Sequence, residues 1–434
     1  MALSSKAIRI AFIIPFLLYG LFSFGQDTSS PSSMHQVIQS RTDEIFDSLV
    51  KIRRDFHRYP EVSEKEVNTS EKIAKYLESL GLEVETNIGG YGVVGILRGA
   101  KEGKRIAWRA DIDAMASDIP DVVDFKSENP GVRHICGHDI HTTIGMGIAN
   151  VLSNQKENLS GTIYFIFQPA EENLEGAKAM IDDKLFDRIQ PEEIYALHVA
   201  PLPEGLIATR PGPLYAYLNE ISIRFRVSDD VRKLVPAYTK EVLLRNENVT
   251  DDSRFLDIKN TLDPVVGLSN PNTIFRNYLN LLQDIDVKEA DGVMTISSLI
   301  NSSNRGQLDT LLVNVEREIR KSRYADDLLD VKYSFEKDVL YNDEELALKA
   351  IDIIASVYGE DSSVPLYGVT PGYYGDDFAY FQEKVRGVYF FLGGSDYEKG
   401  IVSMPHSPDF AADEECIRTG VNYFSSMMVE RLKD

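Results

Sequence analysis

The stretch Val132-Arg133-His134-Ile135-Cys136-Gly137-His138-Asp139-Ile140-His141 decides how the rest of the chain is read. A thiol and an imidazole two residues apart can turn toward one metal ion, and Cys136 is one of only two cysteines in 434 residues. A second run, Gln168-Pro169-Ala170-Glu171-Glu172, sets two carboxylates side by side, and His198 and His406 follow in loop-like settings. Three histidines, one cysteine and one glutamate are enough ligands for one or two borderline divalent ions. One glutamate is left beside them to act on a metal-bound water.

The surroundings of these residues indicate an α/β fold. Gly92 to Leu97, Arg105 to Trp108, Thr162 to Phe167, Ile194 to Leu197 and Val388 to Leu392 are apolar runs of strand length. Asp111, Glu171, Glu172 and His198 each come just after such a run. In open α/β sheets, sites form at the carboxyl ends of strands. Helices are predicted from a Thr42 cap to Pro60, over Val67 to Leu80 before Gly81, and over Thr142 to Leu152. Asp111 and Asp113 are read as groups that orient a ligand, and His134 and His141 as neighbours of the ligands.

Between Asn219 and Lys337 the texture changes. An alternating strand, Ile221 to Val227, is followed by polar and turn-rich sequence. Val293 to Leu299 and Thr310 to Val315 suggest further strands, and Val315 to Tyr324 a helix. Metal-type residues lie on both sides, so residues 219–337 are expected to form an inserted α+β lid. The catalytic domain would then be split into 41–218 and 338–434.

At the N-terminus, Lys6, Arg9 and the apolar run Ile10 to Phe24 form an export signal over residues 1–25, too short to span a bilayer comfortably. A flexible leader is expected over 26–40, and a periplasmic or secreted location follows. A net charge of −22 excludes nucleic acid as a default partner and argues against anionic membranes. Cys416 sits far away in an acidic helix-like segment, and no disulfide with Cys136 is expected.

Seven runs resemble, in order, the metal-dependent aminoacylase and carboxypeptidase superfamily, and within it most nearly the hippurate hydrolase and indole-acetyl-amino-acid hydrolase branch. They are Arg53 to Glu61, Arg109 to Ala114, His134 to Thr142, Phe167 to Glu172, Ala196 to Val199, Asp377 to Phe381 and His406 to Pro408. The resemblance implies a zinc-peptidase-like catalytic domain, with a mixed sheet flanked by helices, and a dimerisation-type lid through which a homodimer can form. It implies two divalent metal ions, manganese or zinc, on Cys136, His138, Glu172, His198 and His406. Glu171 would be the general base, with Asp111, Asp139 and His141 in support. The substrate would be an N-acyl amino acid or small peptide, cleaved by metal-activated water.

One departure stands out. Relatives carry a glycine-rich loop followed by a histidine and a proline in the lid, where this chain reads Arg226-Val227-Ser228-Asp229-Asp230-Val231-Arg232-Lys233-Leu234-Val235-Pro236, and no histidine occurs between His198 and His406. Ser303-Asn304-Arg305 is the candidate for a substrate-binding asparagine. The missing histidine keeps open a catalytically retired or altered-specificity binding protein on the same scaffold, and the acidic lid keeps open a structural or interaction role.

Overall fold

The computed structural model describes residues 33–249, 255 and 257–433. The export segment lies outside the described residues. Helix α1 (Met34–Arg58) starts with a capping box, in which the Ser33 hydroxyl accepts from the Gln36 amide and the Gln36 side chain accepts from the Ser33 N–H. Two expectations are corrected here. Residues 34–40 are helix, not leader, and Thr42 is an interior position whose hydroxyl donates to the Ile38 carbonyl. The reason is Ile38, which carries the buried stripe of Ile45, Leu49 and Phe56 back toward Ser33.

Helix α2 (Val67–Ser79) stops before Gly81, where φ is 78°. The chain then runs through β1 (Glu83–Ile88), β2 (Gly92–Arg98), β3 (Lys101–Asp111), the short pair β4 (Met115–Ala116) and β5 (Val132–Arg133), α3 (His138–Ser153) and β6 (Ser160–Gln168). Helices α4 (Gly176–Asp182) and α5 (Leu185–Arg188) lead to β7 (Glu193–Pro203), β8 (Ile207–Thr209) and β9 (Gly212–Pro213). The insertion holds β10 (Tyr217–Arg226), α6 (Asp229–Arg245), β11 (Leu279–Leu281), β12 (Asp286–Ala290), β13 (Val293–Ser302), α7 (Arg305–Arg320) and β14 (Leu328–Glu336). The return comprises β15 (Tyr341–Asn342), α8 (Glu344–Tyr358), β16 (Ser363–Pro365), α9 (Phe378–Gln382), β17 (Gly387–Ser395) and α10 (Glu415–Arg431).

The large sheet is mixed, in the order β1-β2-β6-β3-β7-β17-β8-β16, with β6, β3, β7 and β17 parallel at its centre. Both faces are buried. Phe165 and Phe167 of β6 join the core beneath α1, α3 and α10, while Tyr164 and Ile166 face the core of α4, α5 and α9.

Strands between Tyr217 and Glu336 share no ladder with that sheet; they form their own, in the order β11-β13-β10-β14, with β12 on the edge of β13. Thr310 to Val315 is not a strand but the interior of α7. Leu308, Leu311, Val315 and Ile319 are buried at helical spacing while Val313 is 61% exposed. One part of the insertion leaves its own sheet. Phe255, Leu268, Phe275 and Tyr278 pack with Ala216 and Val369. The Tyr278 hydroxyl and the Phe275 carbonyl bond the Val369 backbone, and the Leu268 carbonyl accepts from Tyr367 and Gly368. Phe255 and residues 257–278 are thus a strap laid on the catalytic side.

Candidate metal centre

The centre gathers where β3, β6 and β7 meet the start of α3. Gly137 has φ 90°, and a Cβ there would come within 2.5 Å of Val199. That tight glycine turn puts Cys136 before the helix and His138 on its first residue. After β6 the chain passes Ala170 at φ 54°. The Ala170 N–H donates to Glu66 Oε1 at 2.8 Å, and Gly176 lies so close to the Pro169 carbonyl that no side chain fits. This braced turn presents Glu171 and Glu172. His198 was expected after a strand. It lies inside β7, which runs on to Pro203 because β17 keeps pairing with it past Phe391. The His406 N–H donates to the Ile135 carbonyl at 2.8 Å, tying its loop to the segment before Cys136.

These elements bring all six expected residues together. Cys136 Sγ is 3.2 Å from His198 Nε2 and 3.1 Å from His406 Nε2. His406 Nε2 is 3.5 Å from Glu172 Oε2, and His138 Nε2 is 3.8 Å from both Glu172 Oε1 and Glu171 Oε2. Atoms ligating one ion at about 2.0–2.3 Å sit roughly 3–4 Å apart, so this spacing fits a metal. His138 Nε2 and Glu172 Oε1 are moreover buried with no hydrogen-bond partner. Among the described residues, five groups of donor atoms lie close enough together to hold an ion, and two of them, Cys136-His138-His198 and Cys136-Glu172-His406, have the sulfur in common.

The support differs in part from expectation. His138 Nδ1 is held by Asp113, through its carbonyl at 3.0 Å and Oδ1 at 3.2 Å, and Asp113 Oδ2 also accepts from Ser63 and from the Glu172 N–H. Asp111 instead bonds Arg109 and His141 Nδ1. His141 Nε2 accepts from the Val199 N–H, so both its nitrogens are occupied and it offers no ligand. Asp139 is corrected more strongly. Its carboxylate turns away, to Arg53 at 2.7 Å and His57 at 2.9 Å, and pins α3 to α1. Asn304 caps α7, and Asn301 donates to the Gly372 carbonyl. The lid stretch lacking a histidine leads into α6, capped by Ser228.

Glu66, Gly176 and Lys337 were not foreseen. Glu66 and Gly176 act through backbone groups, which leave no mark in residue type. Behind the glutamates, the buried Arg109 bonds Asp111, Asp376, Asp377 and Gln168. Burial and the charge of Asp376 hold the Glu171 carboxyl well above the usual carboxylate range, and burial raises the Cys136 thiol. Such groups ionise readily only beside added positive charge. A cavity of about 470 Å³ opens beside the centre, between it and the strap.

Comparison with known proteins places the chain in a family. Thermostable carboxypeptidase 1 of Saccharolobus solfataricus is 31% identical over 87% of this chain and 93% of its own length. The IAA-amino acid hydrolase ILR1-like 4 of Arabidopsis thaliana is 27% identical over 91% of this chain and 88% of its own. The crystal structure of the Bacillus subtilis YXEP protein, described as a dinuclear metal binding peptidase, superposes with a TM-score of 0.70 at 25% identity, covering 90% of this chain and 99% of that one. Residues 107–430 match Peptidase family M20/M25/M40, and the chain belongs to that family of metal-dependent hydrolases.

Proposed function

We propose that the protein hydrolyses the amide bond of N-acyl amino acids or small peptides. Cys136, His138, Glu172, His198 and His406 hold two divalent ions, manganese or zinc, and Glu171 is the general base. The observation that carries this reading is the Cys136 sulfur common to two groups of donor atoms. The relatives support the substrate class, one named a carboxypeptidase and the other an amino acid hydrolase.

Bound ions would supply Lewis acidity to a water and to the scissile carbonyl. The chain does the rest. Glu171, buried beside His138, takes a proton from the attacking water and delivers it to the amide nitrogen as the C–N bond breaks. Water and amide thus become acid and amine. Burial and the charge of Asp376 favour its protonated form, and bound cations would favour the carboxylate that accepts the proton. Asp113 keeps the Nδ1 edge of His138 occupied, so that Nε2 faces the centre.

The reading extends to a lid over 219–337 on a catalytic domain of 41–218 and 338–434, supported by the separate sheet of the insertion. Export to the periplasm or medium is supported by Lys6, Arg9 and the apolar run to Phe24. Among the described residues no helix is long and apolar enough to cross a membrane. The direct test is amine release from a panel of N-acyl amino acids and dipeptides by protein reconstituted with manganese or zinc. Turnover on at least one is expected; full metal loading with no turnover would instead support a retired scaffold.

A further inference from the structure

The cavity beside the centre has apolar walls, with Leu262 and Leu268 from the strap facing Leu366, Phe391 and Met404. Lys337 is the only lysine or arginine among its described lining residues. It follows β14 directly, at the return from the insertion, and its N–H donates to the Leu218 carbonyl, so both crossings between the two sheets are tied at this point. Its ammonium donates to the Tyr373 carbonyl at 3.3 Å, and no carboxylate among the described residues lies within ion-pair distance. Gly375 makes the seat: a Cβ there would sit 2.5 Å from Lys337 Cε and Nζ.

An ammonium has three donors, and this one uses a single weak bond. It is half-buried. Burial lowers its pKa, while the charges of Glu171 and Asp376 work in the opposite direction and place it near the base. A half-buried cation with two donors unused, in a cavity whose own carboxylates, Glu171 and Glu172, belong to the metal centre, can take an anion from the substrate. The proposed substrates carry one, since the carboxylate of an N-acyl amino acid is attached one carbon from the scissile nitrogen.

We infer that Lys337 receives the free carboxylate of the substrate. The inference rests on the N-acyl amino acid reading. It narrows that reading to amides whose amine side ends in a free carboxylate, and it excludes interior peptide bonds. The apolar walls take the acyl group or an apolar side chain.

The test uses two ligands with an amine in place of the scissile amide, N-(2-phenylethyl)leucine and its primary carboxamide, titrated calorimetrically into full-length metal-loaded protein. A charge-assisted contact of this kind gives the wild type a preference of about 10- to 100-fold for the acid. Lys337→Met should reduce that preference to within about threefold while leaving carboxamide affinity unchanged. Gly375→Ala, which keeps the charge but displaces the ammonium, should reduce it as well and serves if Lys337→Met melts early. A preference that survives both variants overturns the inference. So does an equal weakening of both ligands, which would mean that Lys337 only shapes the cavity. A wild type that hydrolyses N-acyl amino acids yet binds both ligands equally defeats the inference alone. A wild type that binds neither and hydrolyses none defeats the substrate reading and the inference with it.

Discussion

His138 Nδ1 lies 3.0 Å from the Asp113 carbonyl and 3.2 Å from its carboxylate. Those contacts leave Nε2 as the only edge of the ring that can face a metal. The other Asp113 oxygen fixes the Glu172 backbone, so one carboxylate sets the position of two donors. Asp113→Ala should lower metal affinity about 10- to 100-fold, measured by competition with a chromophoric chelator. Unchanged affinity would show that the helix alone positions His138.

Adjacent glutamates should separate cleanly. Glu171→Gln keeps the shape of the base and is expected to retain bound metal while turnover falls about 100-fold or more. Glu172→Gln should lose metal, because its carboxylate faces both His138 and His406. Metal analysis and turnover on the same preparations decide the matter. A Glu171→Gln protein working at the parental rate would remove Glu171 from the base role.

Glu66 gives a pH signature. Burial, against hydrogen bonds that favour the charged form, pushes its carboxyl up to about 7. The folded state therefore binds a proton more tightly than the unfolded state, and stability is lost as pH rises from about 4.5 to 7. Glu66→Gln removes that loss while its amide oxygen can still accept from Ala170. Its stability relative to wild type should rise between pH 5 and pH 8, by up to about 3 kcal/mol. An equal difference at both pH values in denaturant titrations would contradict a raised pKa.

The strap should be separable from the centre. Phe275 is fully buried against Phe255, and its carbonyl accepts from Val369. Phe275→Ala should release the strap at a cost of about 3–5 kcal/mol, seen as faster limited proteolysis within residues 257–278 with metal content unchanged. Equal protease resistance would mean that the strap is held elsewhere.

Much of this was readable from residue order. Chemically distinctive side chains, Cys136, His138, Glu171, Glu172, His198 and His406, mark the centre by type, and apolar runs mark the central strands. What escaped depends on packing or backbone. Thr310 to Val315 is equally apolar as strand or helix until Leu308 and Ile319 are seen to share its buried face. Asp139 stands between ligand-type neighbours, yet its position on α3 aims it at Arg53. Lys337 looked like a domain boundary, and only the fold brings it to the cavity.

Metal stoichiometry in the Cys136→Ser protein tests the central claim most directly. The wild type, reconstituted with manganese or zinc and freed of loose ions, should hold about two ions per chain by elemental analysis, with occupancy falling in acid as the donors protonate. Cys136→Ser should lose both ions together, because its sulfur is common to both groups of donors. A wild type that binds no metal, or a Cys136→Ser protein that keeps its full complement, would contradict the account.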